Sequence, residues 1–436
     1  MNVEKLTAKI GDALIREGVE SAIKKTLYPA AVQKVYPGHF TVTADGGHFG
    51  AENTWPGLDS WEMAGAYLLL DEQRLVLDYF DFVQASQRLD GNVPFAIFTA
   101  ESSPGGQDSY LRGLRYPEDV YTYQPTPHDG QPEFSDMSKR KWIGLFDHWQ
   151  LIVNPLSVLA PICYILTASE IMNSIHSNAW LSEKLASIEL AGKYLLSRKS
   201  ENGFISGAGF YIECPPRNQW DGITQCYCIE AFKRLADMNA QIGKMETANS
   251  WMRESNTLAE NFRNVFWKGD HFAEYIHPEH GVVDFHGLSD VNWAVVAFSV
   301  ATEEQIKALW SNMLAEKALW HGNMPTQLVS KPYAYRDWEM YEPLPFERLG
   351  GLLYDVAAMG RVWYLEAMAC LKMREEDRLR ESVRKVCLMG KRYDWFWYER
   401  YHPLQVWDVY AAGPKGYCEY AAILTRIVLG NPELFY

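Results

Sequence analysis

The strongest constraint in this chain is the rhythm of its connections. Reading apolar periodicity at 3.6 residues predicts twelve helices, over 3–25, 59–71, 73–88, 149–168, 178–198, 221–240, 244–264, 289–300, 303–315, 350–371, 375–391 and 416–429. Almost no stretch alternates as a strand would. In 178–198, for example, Leu181, Leu185, Ile188 and Leu195 share one stripe while Glu183, Lys184 and Lys193 fall elsewhere. The links between helices alternate in length. Long ones precede 59 and span 89–148, 199–220, 265–288, 316–349 and 392–415; short ones lie at 72, 169–177, 241–243, 301–302 and 372–374.

Consecutive antiparallel helices put successive links on opposite ends, so this parity gathers every long link at one end. Long structureless links inside a compact fold are usually functional. Six hairpins with one plain and one elaborated end describe an all-α protein, a closed α/α toroid. No self-similarity at 34 to 47 residues suggests an open solenoid, and no Pro- or Ser-rich linker divides the chain, so 1–436 reads as one domain.

Charge and composition exclude several functions. The formal charge is −14, and no Lys/Arg block offsets it, which removes the term that drives most nucleic-acid binding. No apolar run reaches membrane-spanning length, and the N-terminus lacks a basic, apolar, cleavable leader, so a cytoplasmic protein without a membrane partner is expected. The 7 cysteines are scattered and fit neither a disulfide framework nor a zinc knuckle. Phosphate-binding loops, a dinucleotide fingerprint, a nucleophile elbow and the His-Glu-x-x-His helix are absent, and no cofactor is expected. His277, His280 and His286, near Asp284, have short spacings but no recognisable ligand framework, so no metal is expected.

The long links instead carry carboxylates among aromatic rings, in a chain with 16 Trp and 25 Tyr. A first cluster delivers Glu52, Trp55, Asp59 and Trp61 to a helix start, where Asp59 could also serve as a cap. The second, Gly209–Gly222, holds Glu213, Arg217, Trp220 and Asp221; a carboxylic acid beside Trp in a partly dry pocket could protonate a leaving oxygen, while Asp221 could equally cap the helix that follows. The third holds Asp337, Trp338, Glu339, Glu342 and Glu347. The fourth surrounds Glu399 with Trp395, Trp397, Tyr398, Tyr401 and Trp407, and leads to Glu419. Rings suit sugar faces, and paired carboxylates are the usual equipment of glycoside hydrolysis.

Two of these clusters resemble known families. Gly46-Gly-His-Phe-Gly-Ala-Glu52 with Leu58-Asp-Ser-Trp61 resembles the trehalase-type Gly-Gly-Arg-Phe-x-Glu motif and its downstream Trp-Asp segment, with His48 and Leu58 in place of the motif Arg and Trp. Trp397-Tyr-Glu-Arg-Tyr-His-Pro403 followed by Gly416-Tyr-Cys-Glu-Tyr-Ala-Ala422 is similar to the ending of glycoside hydrolase family 63. The resemblance implies a six-hairpin glycosidase, exo-acting and inverting, on a short oligosaccharide or small glycoside. It makes Glu399 the general base and places the general acid in the loop entering an even-numbered helix, where Asp221 is the first candidate and Glu213 the second; Glu419 joins them as a catalytic candidate. Glu52, Trp55, Asp59, Trp61, Arg217, Trp220, Trp338, Glu347 and Trp397 would bind the sugar.

Two alternatives stay open at this point. The N-acylglucosamine 2-epimerase family also folds as an α/α toroid of similar length, and its chemistry would need paired bases, with His148, His286 and His402 as candidates. A sugar-binding relative without catalysis is the other.

Overall fold

The computed structural model describes residues 3–32, 38–44, 53–57, 59–99, 123–125, 142–146, 158–207, 217, 219–317, 319, 324–331, 336–339, 357–405 and 408–436. Twelve main helices build it: α1 (Ala13–Ser21), α2 (Ser60–Leu69), α3 (Gln73–Ala85), α4 (Leu159–Ile175), α5 (Asn178–Ser197), α6 (Gly222–Gln241), α7 (Met245–Phe266), α8 (Asp290–Ala297), α9 (Glu303–Ala315), α10 (Gly360–Met373), α11 (Glu376–Arg392) and α12 (Cys418–Gly430). The even-numbered helices form an inner ring in which each packs on the next, and α12 closes on α2. The odd-numbered helices lie outside. The sixth hairpin joins the two ends of the chain: the π-helical stretch Ala22–Leu27 that extends α1 packs on α12, and α1 packs on α11. The architecture is the closed α/α toroid that link parity implies.

Position in the ring explains the patterning. Inner helix α4 touches α2 and α6 in the ring and α3 and α5 outside, so Leu159 to Ser169 are buried without a break. Outer helix α11 buries only the stripe Leu379, Ser382, Val383, Val386, Cys387, Met389 and Gly390, which is the amphipathic signature of a helix with one wet side. Local caps set several starts: Asp12 accepts from the Leu14 and Ile15 N–H groups, and Thr302 with Gln305 forms a capping box ahead of α9.

Three expectations need correction. The segment 3–25 is not one helix, because Asp12 caps a new start after the short helix Val3–Thr7. The helix expected over 149–168 is Leu159–Ile175: its residues Leu159 to Ser169 are buried all round, which leaves no polar face to mark its start, and 149–157 lie outside the described residues. The helix expected from 350 starts at Gly360, with 350–356 also outside them.

Strands are also more frequent than periodicity predicts. β1 (Ala31–Val32) pairs with β2 (His39–Phe40). β3 (Ala96–Thr99), β4 (Tyr123–Pro125) and β5 (Trp142–Leu145) form one antiparallel sheet, and β6 (Trp220–Asp221), β7 (Tyr275–His277) and β8 (Gly281–Val283) another. β9 (Ala358–Met359), β10 (Tyr398–Gln405) and β11 (Asp408–Lys415) make a third, so the link 392–415 contains a hairpin. These strands are too short for a visible alternation, and several find partners far away in sequence.

The two ends of the ring differ as expected. β6 runs directly into α6, β9 into α10, and β11 ends three residues before α12, so the sheets sit on inner-helix N-termini. At the plain end each of the five short links turns through one left-handed residue: Asp71, His176, Gly243, Ser299 or Arg374.

Candidate active site

The elaborated end places carboxyl groups at the starts of inner helices: Asp59 and Asp221 are N-cap residues, and Asp290 and Glu419 lie in first turns. Free N–H groups and the helix dipole favour negative charge there. Two buried clusters result.

The first centres on Arg217, only 1% exposed. Its Nε donates to Glu274 at 2.7 Å, its Nη atoms reach both oxygens of Asp290 at 2.8 and 3.1 Å, and Asp221 lies at 3.4 Å. Asp221 also accepts from the Ile223 N–H at 3.2 Å, so it caps α6. Glu274 passes its other oxygen to His286 Nδ1, and His286 Nε2 lies 3.4 Å from Glu339, which accepts from the Tyr275 hydroxyl at 2.6 Å. Burial, joined by the charges of Asp290 and Glu274 and opposed by Arg217, pushes the Asp221 carboxyl up to about 7. Burial also works against ionised Glu274, but Arg217 and His286 outweigh it and hold that group down to about 2.

The second cluster lies where α2, α10 and α12 meet. Glu419 accepts from the Gly360 N–H at 3.1 Å, the Arg361 N–H at 2.6 Å and Arg361 Nε at 2.8 Å. Asp59 receives the Tyr417 hydroxyl and lies within hydrogen-bonding reach of Glu419. Burial and the Asp59 charge, opposed by Arg361, push Glu419 up to about 8, and burial raises Asp59 too. Two carboxyls enclosed beside one guanidinium therefore both resist ionisation. Glu399 stands beside this pair on β10, its charge felt by Asp59. Its side chain is 17% exposed, which separates it from the enclosed acids around it. Gly413 of β11 makes room for it: the glycine adopts φ +79°, and a Cβ there would lie 2.4 Å from Glu399 Oε2.

The structure sorts the sequence candidates. Trp55, Trp61 and Trp397 are 4%, 4% and 0% exposed and pack in the core, leaving no open ring face for a sugar. Trp61 meets Tyr227 and Tyr364 edge-on beneath the Arg426 guanidinium, and Trp397 donates to the Val386 carbonyl. Trp220 and Trp338 are half-buried; Trp220 donates to Ser200 Oγ at 2.9 Å, and Trp338 stacks on His280 at 4.1 Å. Arg217 lies with Asp221, and Asp59 with Glu419. Glu52, Glu213, Glu347 and His148 lie outside the described residues. Sequence reasoning passes over Glu274, Asp290, Arg361 and Tyr417. Asp290 carries a readable signal, an acid opening a helix after a long link, as at Asp59 and Asp221. Glu274 and Arg361 carry none.

Comparison with solved structures places this architecture. The GH78 family rhamnosidase of a Bacillus species matches with TM-score 0.60 and 13% identity over 97% of this chain and 35% of its own. A Klebsiella oxytoca rhamnosidase with rhamnose bound matches at 0.60 and 11%, over 96% of this chain and 64% of its own. The GH63 mannosylglycerate hydrolase of Thermus thermophilus, in complex with glucose, matches at 0.57 and 10%, over 94% and 99%. The fold is that of the six-hairpin glycosidases. The chain spans about a third and about two thirds of the two rhamnosidases' lengths. No protein-family model matches it, and no curated protein matches it in sequence. Within this six-hairpin toroid both buried clusters sit at the inner-helix N-termini of the elaborated end.

Among the described residues no helix is long and apolar enough to cross a membrane.

Proposed function

We propose that the protein is a glycoside hydrolase, exo-acting and inverting, on a short oligosaccharide or small glycoside. The observation that carries the reading is Glu399: a partly exposed carboxylate at the elaborated end of a six-hairpin toroid, given space by Gly413 and backed by the Asp59–Glu419 pair. Glu399 takes a proton from water as the water oxygen attacks the anomeric carbon. An acid on the opposite side gives its proton to the departing glycosidic oxygen as the C–O bond breaks.

That acid comes from the segment entering α6. Asp221, the first candidate, is 0% exposed and engaged by Arg217 and the α6 N-terminus, which suits a positioning role. Glu213, four residues ahead of Arg217, is therefore the proposed proton donor. Trp220 and Trp338, the half-buried rings, are the proposed sugar platforms. His286 offers both ring nitrogens to carboxylates, which argues against His286 as the base of an epimerase. The six described cysteines are buried thiols with no disulfide among them, which supports the cytoplasm as the site of action.

The test is an NMR time course of anomeric protons with aryl rhamnosides, maltose, trehalose and mannosylglycerate, for the wild type and Glu399→Gln, Glu213→Gln and Asp221→Asn. Release of a sugar of inverted configuration, abolished in Glu399→Gln and Glu213→Gln, supports the reading. Exchange at a ring carbon without cleavage would replace it with an epimerase, and turnover retained in Glu399→Gln would remove the assigned base.

A further inference from the structure

The motif 277–286 has no place in the hydrolytic scheme, yet one of its histidines is among the most constrained groups in the molecule. His286 is 1% exposed and lies between Glu274 and Glu339, themselves 6% and 1% exposed. One ring nitrogen meets each carboxylate: Nδ1 is bonded to Glu274, and Nε2 lies 3.4 Å from Glu339. A neutral imidazole carries one N–H and can serve only one of two acceptors, whereas the imidazolium serves both.

The chain of charges therefore alternates. Arg217 donates to Glu274, Glu274 faces His286, and His286 faces Glu339. Four described contacts around the ring and Glu339 are of other kinds. The Tyr275 hydroxyl and the Arg336 backbone N–H donate to Glu339 at 2.6 and 2.8 Å, and the Arg336 guanidinium lies over Phe285 instead. Lys331 contributes its backbone N–H to the His286 carbonyl. Among the described residues, His286 is the one cationic side chain with an ion-pair contact to Glu339.

Glu339 follows Trp338 in the single 3₁₀ turn Asp337–Glu339. Holding its carboxylate fixes that turn, and with it the half-buried Trp338 ring, whose outer neighbours are His280 at 4.1 Å, His277 at 4.8 Å and Phe285 at 6.3 Å. We propose that His286, as an imidazolium, is a positioning residue that ties the Trp338 turn to Glu274 and Arg217 across the elaborated end. Loss of its proton loosens the tie on one side: Nε2 no longer presents an N–H and a positive charge to Glu339, which keeps only the neutral donors Tyr275 and the Arg336 N–H. Burial disfavours the charged ring, but Glu274 and Glu339 more than compensate and raise its pKa to about 9.

The experiment is ¹⁹F NMR of the full chain labelled with 5-fluorotryptophan, with the Trp338 resonance assigned from Trp338→Phe. Between pH 6 and 10.5 the Trp338 resonance is expected to move with a midpoint near 9, while those of the core rings Trp363 and Trp397 stay still. In His286→Gln the shift disappears and the resonance sits at the high-pH position throughout; Glu339→Gln, which leaves the histidine in place, also abolishes it. A resonance that stays fixed in the wild type overturns the proposal. So does a titration that persists in His286→Gln and is lost in His280→Asn, since it would belong to the stacked ring. If the hydrolase reading also holds, His286→Gln raises KM more than it lowers kcat. The ¹⁹F result stands without any substrate, so failure of one idea is separable from failure of the other.

Discussion

Replacing Glu274 by Gln keeps the side chain's size and its capacity to accept from Arg217, but removes the charge that joins Arg217 to His286. The magnitude follows from linkage. The folded carboxyl sits at about 2 against an ordinary 4.5, which at about 1.4 kcal/mol for each tenfold change in proton affinity amounts to about 3–4 kcal/mol. The group is fully enclosed, so solvent screening does not discount this figure. A depressed carboxyl pKa contributes stability that is fully present above 4.5 and is lost as pH falls through about 2. Urea unfolding should therefore show Glu274→Gln less stable than wild type by about 3 kcal/mol at pH 7, with less than about half of that gap left at pH 3. A gap under about 1 kcal/mol at pH 7, or one that does not shrink toward pH 3, would refute the claim that Arg217 and His286 hold Glu274 ionised.

Other perturbations have equally definite signs. Asp221 is raised from 3.8 to about 7, so its ionisation opposes folding increasingly between those values; Asp221→Asn, which keeps a capping oxygen, should gain on wild type by up to about 4 kcal/mol as pH rises from 4 to 8 in the same unfolding assay. Gly65→Ala would put a Cβ 2.6 Å from Arg426 Cζ, displacing the guanidinium from Glu170; a loss of about 1–3 kcal/mol in denaturant midpoints is expected. Ser299→Gly and Arg374→Gly remove side chains from left-handed turns at φ 60° and 59°, and each should stabilise the chain by up to about 1 kcal/mol in calorimetry. Gly413→Ala adds left-handed strain and collides with Glu399, so hydrolysis measured on a responsive glycoside should fall at least about tenfold, with about 1–2 kcal/mol lost in stability.

The legible parts of this protein are those that local physics encodes. Outer helices such as α11 announce themselves by one apolar stripe, and α9 by its capping box. Periodicity misplaces helix α4 because burial along most of its length erases the stripe, and it misses the hairpin β10–β11 because register shifts between Tyr398 and Arg400 and between Pro403 and Gln405 break the alternation. The same distinction runs through the site. Asp59 and Asp221 can be picked out because an acid at a helix start has a local reason to be there. The tryptophans cannot be sorted, since Trp338 and Trp397 have similar aromatic neighbours in sequence, and only packing encloses one and leaves the other half-buried.

Link parity is a property of the chain alone, and it determined the end on which chemistry could gather. Antiparallel neighbours put alternating long and short connections on opposite ends, and the packing of α12 on α2 is what closes the ring. Charge pairing is different, because a buried carboxylate needs partners wherever the chain can supply them. Arg217 finds Glu274 and Asp290, 57 and 73 residues away, and Tyr417 reaches Asp59 across 358. Those meetings are made by closing the ring, which brings inner-helix starts together whatever their separation in sequence. The tertiary structure alone therefore decided which of the described acids are held toward ionisation, which resist it, and that Glu399 stays partly exposed.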